Sequence, residues 1–165
     1  MAQKKEVYKE VLKQTGHWKY SELYDLAFSW LKSSGYKLKE DLYNEKLSSN
    51  GKEVIIKWTA EKKVTDYFKF QILMDWHILG MKDAEVEVDG KKVNTNKGEV
   101  EIKFKANIIK DYEKRWEDKP LWKFLRGIYE KYIIRETVEE FEDDLENETK
   151  EMIQDLKAFL RIPAK

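Results

Sequence analysis

Residues 67–81, YFKFQILMDWHILGM, alternate with a period of two. Phe68, Phe70, Ile72, Met74, Trp76 and Ile78 fall on one face, and Tyr67, Lys69, Gln71, Leu73, Asp75 and His77 on the other. Alternation over this length predicts a central strand with one dry face. The same pattern recurs on both sides of it. Tyr36, Leu38, Glu40 and Leu42 alternate with Lys37, Lys39, Asp41 and Tyr43; Val54, Ile56, Trp58 and Ala60 alternate with Ile55, Lys57, Thr59 and Glu61. Ser48-Ser49-Asn50-Gly51 between them is a hairpin signal.

Gly80 is expected to end the central strand, with Ala84, Val86 and Val88 opening a fourth. Asp89-Gly90 reads as a type I′ turn into a short return, Lys91 to Val93. A last long strand from Gly98 places Val100, Ile102, Phe104, Ala106 and Ile108 on one side. One-sided alternation across successive hairpins requires an antiparallel sheet that is covered on one face and open to water on the other.

The cover must come from the two ends. Val7, Tyr8, Val11 and Leu12 in KKEVYKEVLKQ are at helical spacing and predict a short helix stopping at Thr15-Gly16. A firmer helix follows, with Ser21 as N-cap, an apolar stripe of Leu23, Tyr24, Ala27, Phe28, Trp30 and Leu31, and Gly35 as its C-terminal stop. After Pro120, the residues Leu121, Trp122, Leu125, Ile128, Tyr129 and Tyr132 repeat at helical spacing, and the pattern resumes from Val138 to Phe159. One helix of that extent would be roughly 60 Å long, against a radius of gyration of roughly 15 Å for such a domain. It must project, break at 133–137 or at Asn147, or fold back.

The fold class is therefore α+β: two layers, an antiparallel sheet of about five meander strands covered on one face by an N-terminal helix and a long C-terminal helical segment. A single domain is expected over 1–165, helical at 1–34, sheet at 36–112 and helical at 119–162, with 136–162 projecting or folded back.

The order helix, meander, long helix resembles helix-grip domains of the lipid-transfer and polyketide-cyclase kind, in which a C-terminal helix closes a curved sheet. Their usual opening strand and pair of helices are not evident in the sequence. The resemblance is one of layout and implies a space between sheet and helix for a small apolar molecule.

Composition narrows the function. The chain has no cysteine, which removes disulfides and thiolate chemistry. Its 32 basic and 32 acidic residues cancel, yet ETVEEFEDDLENETKE, beginning at Glu136, carries nine acids and one lysine. That segment is a candidate surface for a protein partner or for self-association. No apolar run approaches the roughly 18 residues of a membrane span, and the N-terminus is charged; a soluble, cytoplasmic protein is expected. Acids interleave with lysines on the polar strand faces, which argues against nucleic-acid binding. No phosphate-cradling glycine motif and no G-x-S-x-G occurs, and no motif requires a cofactor.

Two groups of residues remain. Asp75 and His77 share a strand face and are weak candidates for acid/base work or metal binding. Their face also carries Lys57, Lys103 and Lys105, and a hairpin register placing Lys57 opposite Asp75 makes a cross-strand ion pair the simpler reading. A dedicated metal site is not expected from one such pair. The dry side gathers Trp58, Trp76 and Trp122, with Glu40, Tyr129 and Tyr132 as polar anchors if the interface is a ligand cavity instead of a solid core. Glu40 points inward by strand parity; a β-bulge at Glu40-Asp41 would also carry Tyr43 and Leu47 to the core side. The leading expectation is a non-catalytic binding or assembly module, using that cavity or the acidic helix. A small apolar ligand carrier or cyclase-like enzyme is the alternative, and an acid/base or metal enzyme at Asp75 and His77 the third.

Overall fold

The computed structural model describes residues 3–65, 67–110, 124, 128 and 135–161. Five strands form one antiparallel sheet: β1 (Gln3–His17), β2 (Lys37–Ser48), β3 (Gly51–Lys63), β4 (Phe68–Val88) and β5 (Lys91–Lys110). Their spatial order is β1-β5-β4-β3-β2, a meander whose last strand pairs with the first. The helices with described extent, α1 (Tyr20–Ser33) and α2 (Arg135–Leu160), pack on one face. The two-layer α+β architecture is the one the alternation predicts.

The core lies between the layers. Val54, Ile56, Trp58 and Ala60 of β3, Phe68 to Ile78 of β4 in alternate positions, and Val100 to Ile108 of β5 in alternate positions are all buried. Leu23, Ala27 and Leu31 of α1 and Leu145, Met152, Ile153 and Leu156 of α2 cover them. The opposite face is open over most of its area, but Gln71 and Asn107 at one end are buried there and bond each other, Asn107 Nδ2 donating to Gln71 Oε1 at 3.1 Å.

Residues 4–14 depart from expectation: they form an edge strand, not a helix. Pairing to β5 turns Tyr8, Glu10, Leu12 and Gln14 inward, and only Leu12 of these is fully buried. The inward positions are mostly polar, so the period-two signal is faint in the sequence. The opening strand usual in helix-grip domains is thus present, followed here by one helix.

α1 also starts differently. Lys19 holds the N-cap position without a side-chain cap bond, and Ser21 lies inside the helix. Asn96 of β5 does the capping from a distance, its Oδ1 accepting from Tyr20 N at 2.9 Å. Trp18 is clamped to the same strand, its backbone N donating to Asn96 O and its indole Nε1 to Gly98 O, both at 3.1 Å. The C-terminus follows the sequence: Gly35 has φ +89° and Tyr36 N donates to Leu31 O at 2.9 Å.

Gly80 does not end the central strand. It adopts φ +63° within a bulge, where Leu79 pairs with Glu99 and Lys82 with Lys97, so one extra residue enters β4. The strand continues to Val88, and the expected return and last strand are one strand, β5. Because side chains alternate, the extra residue reverses the faces beyond it. Ala84, Val86 and Val88 share the side of Thr95 and Val93, away from the helices, while Asp83 and Glu85 share the side of Asn96 and Asn94. Asp89 at φ 51° and Gly90 at φ 79° form the expected type I′ turn.

α2 runs unbroken through Asn147 and lies on the sheet and α1; it does not project. Its 26 residues span about 39 Å at 1.5 Å per residue. Lysines from the body meet its acids: Lys5 Nζ is 2.9 Å from Glu142 Oε1, and Lys62 bonds Glu148. The expected larger cover, from Leu121 to Tyr132, falls outside the described residues except for Phe124 and Ile128, both helical and exposed.

Candidate functional site

Trp58 and Trp76 occupy the middle of the covered face, each 1% exposed, with ring centroids 5.1 Å apart in an edge-on arrangement. They come from adjacent strands: Trp58 pairs with Met74 and Ile56 with Trp76, so the two indoles are diagonal neighbours. Tyr24 of α1 sits over both, 5.0 Å from Trp58 and 6.3 Å from Trp76, and Phe28 one turn later approaches Trp58 at 6.5 Å. Tyr20, Tyr24 and Phe28 meet this corner because residues four apart share a helix face.

Both indole Nε1 groups are buried without a hydrogen-bond partner. An unsatisfied buried donor costs about 1–3 kcal/mol, and native structures leave few of them. Two side by side mark this interface as a place where an acceptor would be stabilised. The hydroxyl of Tyr36, also buried and unpartnered, lies beside Trp30. Burial pushes the Tyr36 phenol well above its ordinary value, with Glu148 adding to the effect.

The rim is polar. β2 carries its extra residue between Glu40, opposite Trp58, and Leu42, opposite Lys57, so Asp41 is the bulged residue. This is the bulge that the sequence suggested, and it leaves both Glu40 and Tyr43 on the helix side. Tyr24 OH donates to Glu40 Oε2 at 2.7 Å. Tyr43 OH donates to Glu45 Oε1 at 2.7 Å and contacts Tyr20 OH at 2.7 Å. With its one proton committed to Glu45, Tyr43 must accept from Tyr20. Burial pushes the Tyr43 phenol up to about 12; the Tyr20 bond opposes that shift and Glu45 reinforces it. Tyr24 is raised by burial first and by the Glu40 bond second. These phenols are neutral donors, and together they strap α1 to the edge strand. Leu47 shares the parity of Tyr43 but is 84% exposed.

Of the anchors expected from the sequence, Trp58, Trp76 and Glu40 come together here; Trp122, Tyr129 and Tyr132 lie outside the described residues. Asp75 and His77 are on the opposite face, away from this cluster. Lys57 is opposite Asp75, as the hairpin register requires, and His77 Nε2 is 3.3 Å from Glu53 Oε2 on β3. Among the described residues no three His, Asp or Glu side chains group as a metal site.

A second polar cluster escaped the sequence reading. Glu10 of β1 receives the buried Lys157 of α2, Nζ to Oε2 at 2.8 Å, and accepts from Tyr8 OH on its other oxygen. Its residues come from the two ends of the chain, so no local spacing announces it.

No protein-family model matches the chain, and no curated protein does. Among solved structures it is similar to an uncharacterised protein from Rhizobium leguminosarum, with 8% identity over 99% of each chain and a TM-score of 0.27, a likeness too remote to bear on fold or function.

Proposed function

We propose that the chain is a non-catalytic binding module of the cytoplasm that takes a small apolar molecule between the sheet and α1. The carrying observation is the pair of buried, unpartnered indole N–H groups of Trp58 and Trp76. A ligand with an apolar body and one acceptor, such as a carbonyl, would satisfy them while its body lies against Tyr24 and Phe28. Entry requires α1 to lift from β2, which means releasing the bonds from Tyr24 to Glu40 and from Tyr20 to Tyr43.

The test uses prodan, a neutral fluorophore with one carbonyl. Its emission should shift to the blue on binding, and the indole cross-peaks of Trp58 and Trp76 should move in a ¹⁵N–¹H spectrum. Tyr24→Phe, which removes one strap, should speed association. Indole resonances that stay fixed at saturating prodan would refute the reading.

A second use of the chain rests on α2, where Glu139, Glu140, Asp143 and Asp144 remain exposed. This face would dock a basic protein surface or a second copy. A light-scattering mass that is monomeric and independent of salt would remove the second-copy version.

A further inference from the structure

Past the Gly80 bulge, β4 and β5 leave the body of the sheet. The pairing of β3 with β4 stops at Met81 and that of β1 with β5 at Lys97, so residues 82–88 and 91–96 pair only with each other. A two-stranded ribbon is marginal in water unless one face packs on something. The face of this arm away from the helices is apolar and uncovered: Val88 and Val93 are 50% and 42% exposed, and Val86 lies opposite Val93.

The bulge also segregates the charges of the arm. Lys82, Lys91 and Lys97 are exposed on the valine face, with Lys82 directly opposite Lys97, and none of the three has an ion-pair partner among the described residues. The acids Asp83, Glu85 and Glu87 alternate onto the other face. Asp89 is in the turn, and Glu99, back on the body of the sheet, is held by Lys13 at 3.0 Å. Packing two such valine faces together would set three lysines against three, so a second arm is not the occupant.

The complementary surface lies at the other end of the same chain. On α2, Glu139, Glu140, Asp143 and Asp144 are exposed and have no ion-pair partners among the described residues. Glu139 with Asp143, and Glu140 with Asp144, are like charges four residues apart, an arrangement that destabilises a helix. Their neighbours Glu142 and Glu148 are taken by Lys5 and Lys62. Val138 and Phe141 border the acidic patch and are only partly buried. Phe141 packs on Phe68 and Phe70 at the start of β4, and Lys82 is roughly 40 Å further along that strand. The arm cannot reach its own α2.

The geometry points to a head-to-tail contact between copies of this chain, the valine face of one arm seated on the acidic patch of the next copy's α2. The lysines neutralise acids that repel one another, and the valines are covered by Val138 and Phe141. Equal numbers of basic and acidic residues, 32 of each, leave no net charge to hold the copies apart. Because the two surfaces differ, the contact is open-ended and the assembly grows with concentration. The inference rests on the second-copy reading of α2 and supplies the surface that meets it.

Sedimentation equilibrium of the full chain over a range of concentrations is the test. The weight-average mass should climb with concentration at low salt and fall to that of the monomer at high salt. Lys82→Glu/Lys91→Glu/Lys97→Glu and Glu139→Lys/Glu140→Lys/Asp143→Lys should each weaken association about tenfold or more. An equimolar mixture of the two variants should restore it, since each reversed surface then meets its opposite. A wild-type chain that is monomeric at every concentration overturns the inference together with the second-copy reading of α2. Loss in only one variant, or a mixture that fails to recover, overturns the pairing of these surfaces; if the α2 variant alone loses association, the second-copy reading of α2 survives. A monomeric chain that sediments with phosphatidylserine vesicles through the arm lysines assigns the arm to a membrane surface and overturns the contact as well.

Discussion

Lys157 Nζ lies 2.8 Å from Glu10 Oε2, joining the last turns of α2 to the opening strand. Lys157 is 8% exposed, which makes this the most deeply buried of the ion pairs among the described residues. It couples β1 to α2, as does the bond from Gln14 Nε2 to Leu160 O at 3.2 Å.

Removing one member of a buried pair strands the other charge, and that is more damaging than removing both. Lys157→Met should cost about 2 kcal/mol, since Glu10 keeps its bond from Tyr8 and some contact with water. Glu10→Leu/Lys157→Met should recover part of the loss. Urea unfolding of the wild type, the two single variants and the double variant reads the coupling directly; additive losses would show that the pair contributes nothing.

Tyr8 makes the same cluster sensitive to alkali. Its phenol is pushed up to about 12, first by the bond to Glu10, then by burial and by the nearby carboxylate charges. The folded form holds the proton more tightly than the unfolded chain, whose tyrosine titrates near the ordinary value of about 10. Stability from this group is therefore complete below pH 10 and is lost as pH rises from 10 towards 12. Tyr20, Tyr24, Tyr36 and Tyr43 are raised in the same direction, so a general alkaline decline is expected. Tyr8→Phe should flatten part of it. Melting temperatures followed from pH 8.5 to 12 check this, and an unchanged slope in Tyr8→Phe would argue against the Glu10 bond.

Sheet strands were legible where aliphatic and aromatic side chains alternate without interruption, as from Val54 to Ala60 and from Phe68 to Ile78. β1 was not, because only Leu12 of its inward row is an apolar core residue, while Glu10 and Gln14 are satisfied by Lys157 and Leu160 O of α2 and Tyr8 by Glu10. Gly80 marks an end or a bulge equally well in the sequence, because glycine punctuates strands in both ways and only the partner strand distinguishes the two. The cap on α1 has no local signal either, since Asn96 lies 76 positions from Tyr20. For the candidate site, parity alone placed Glu40 and both indoles inward. The lack of acceptors for the indoles depends on which side chains reach them in three dimensions, and no spacing in the sequence encodes that.

Gly51 tests whether the sheet's corner is built on close backbone contact. Gly51, Gly80 and Gly98 meet where the bulged part of β4 passes its neighbours. A Cβ on Gly51 would lie 2.7 Å from the carbonyl carbon of Gly80, and one on Gly98 would lie 3.0 Å from Met81 Cα. Gly51 also has φ +117°, a backbone state that side chains disfavour. Backbone on both sides leaves nothing flexible to yield, so Gly51→Ala combines a steric clash with conformational strain and should cost about 3 kcal/mol or more. Gly90→Ala separates the two effects: its φ is +79° but nothing lies within 4 Å of the new Cβ. It should cost only about 1 kcal/mol. Unfolding midpoints for the two variants give the comparison. Equal losses would mean that conformation alone governs both sites and that the three-glycine contact is looser than it looks.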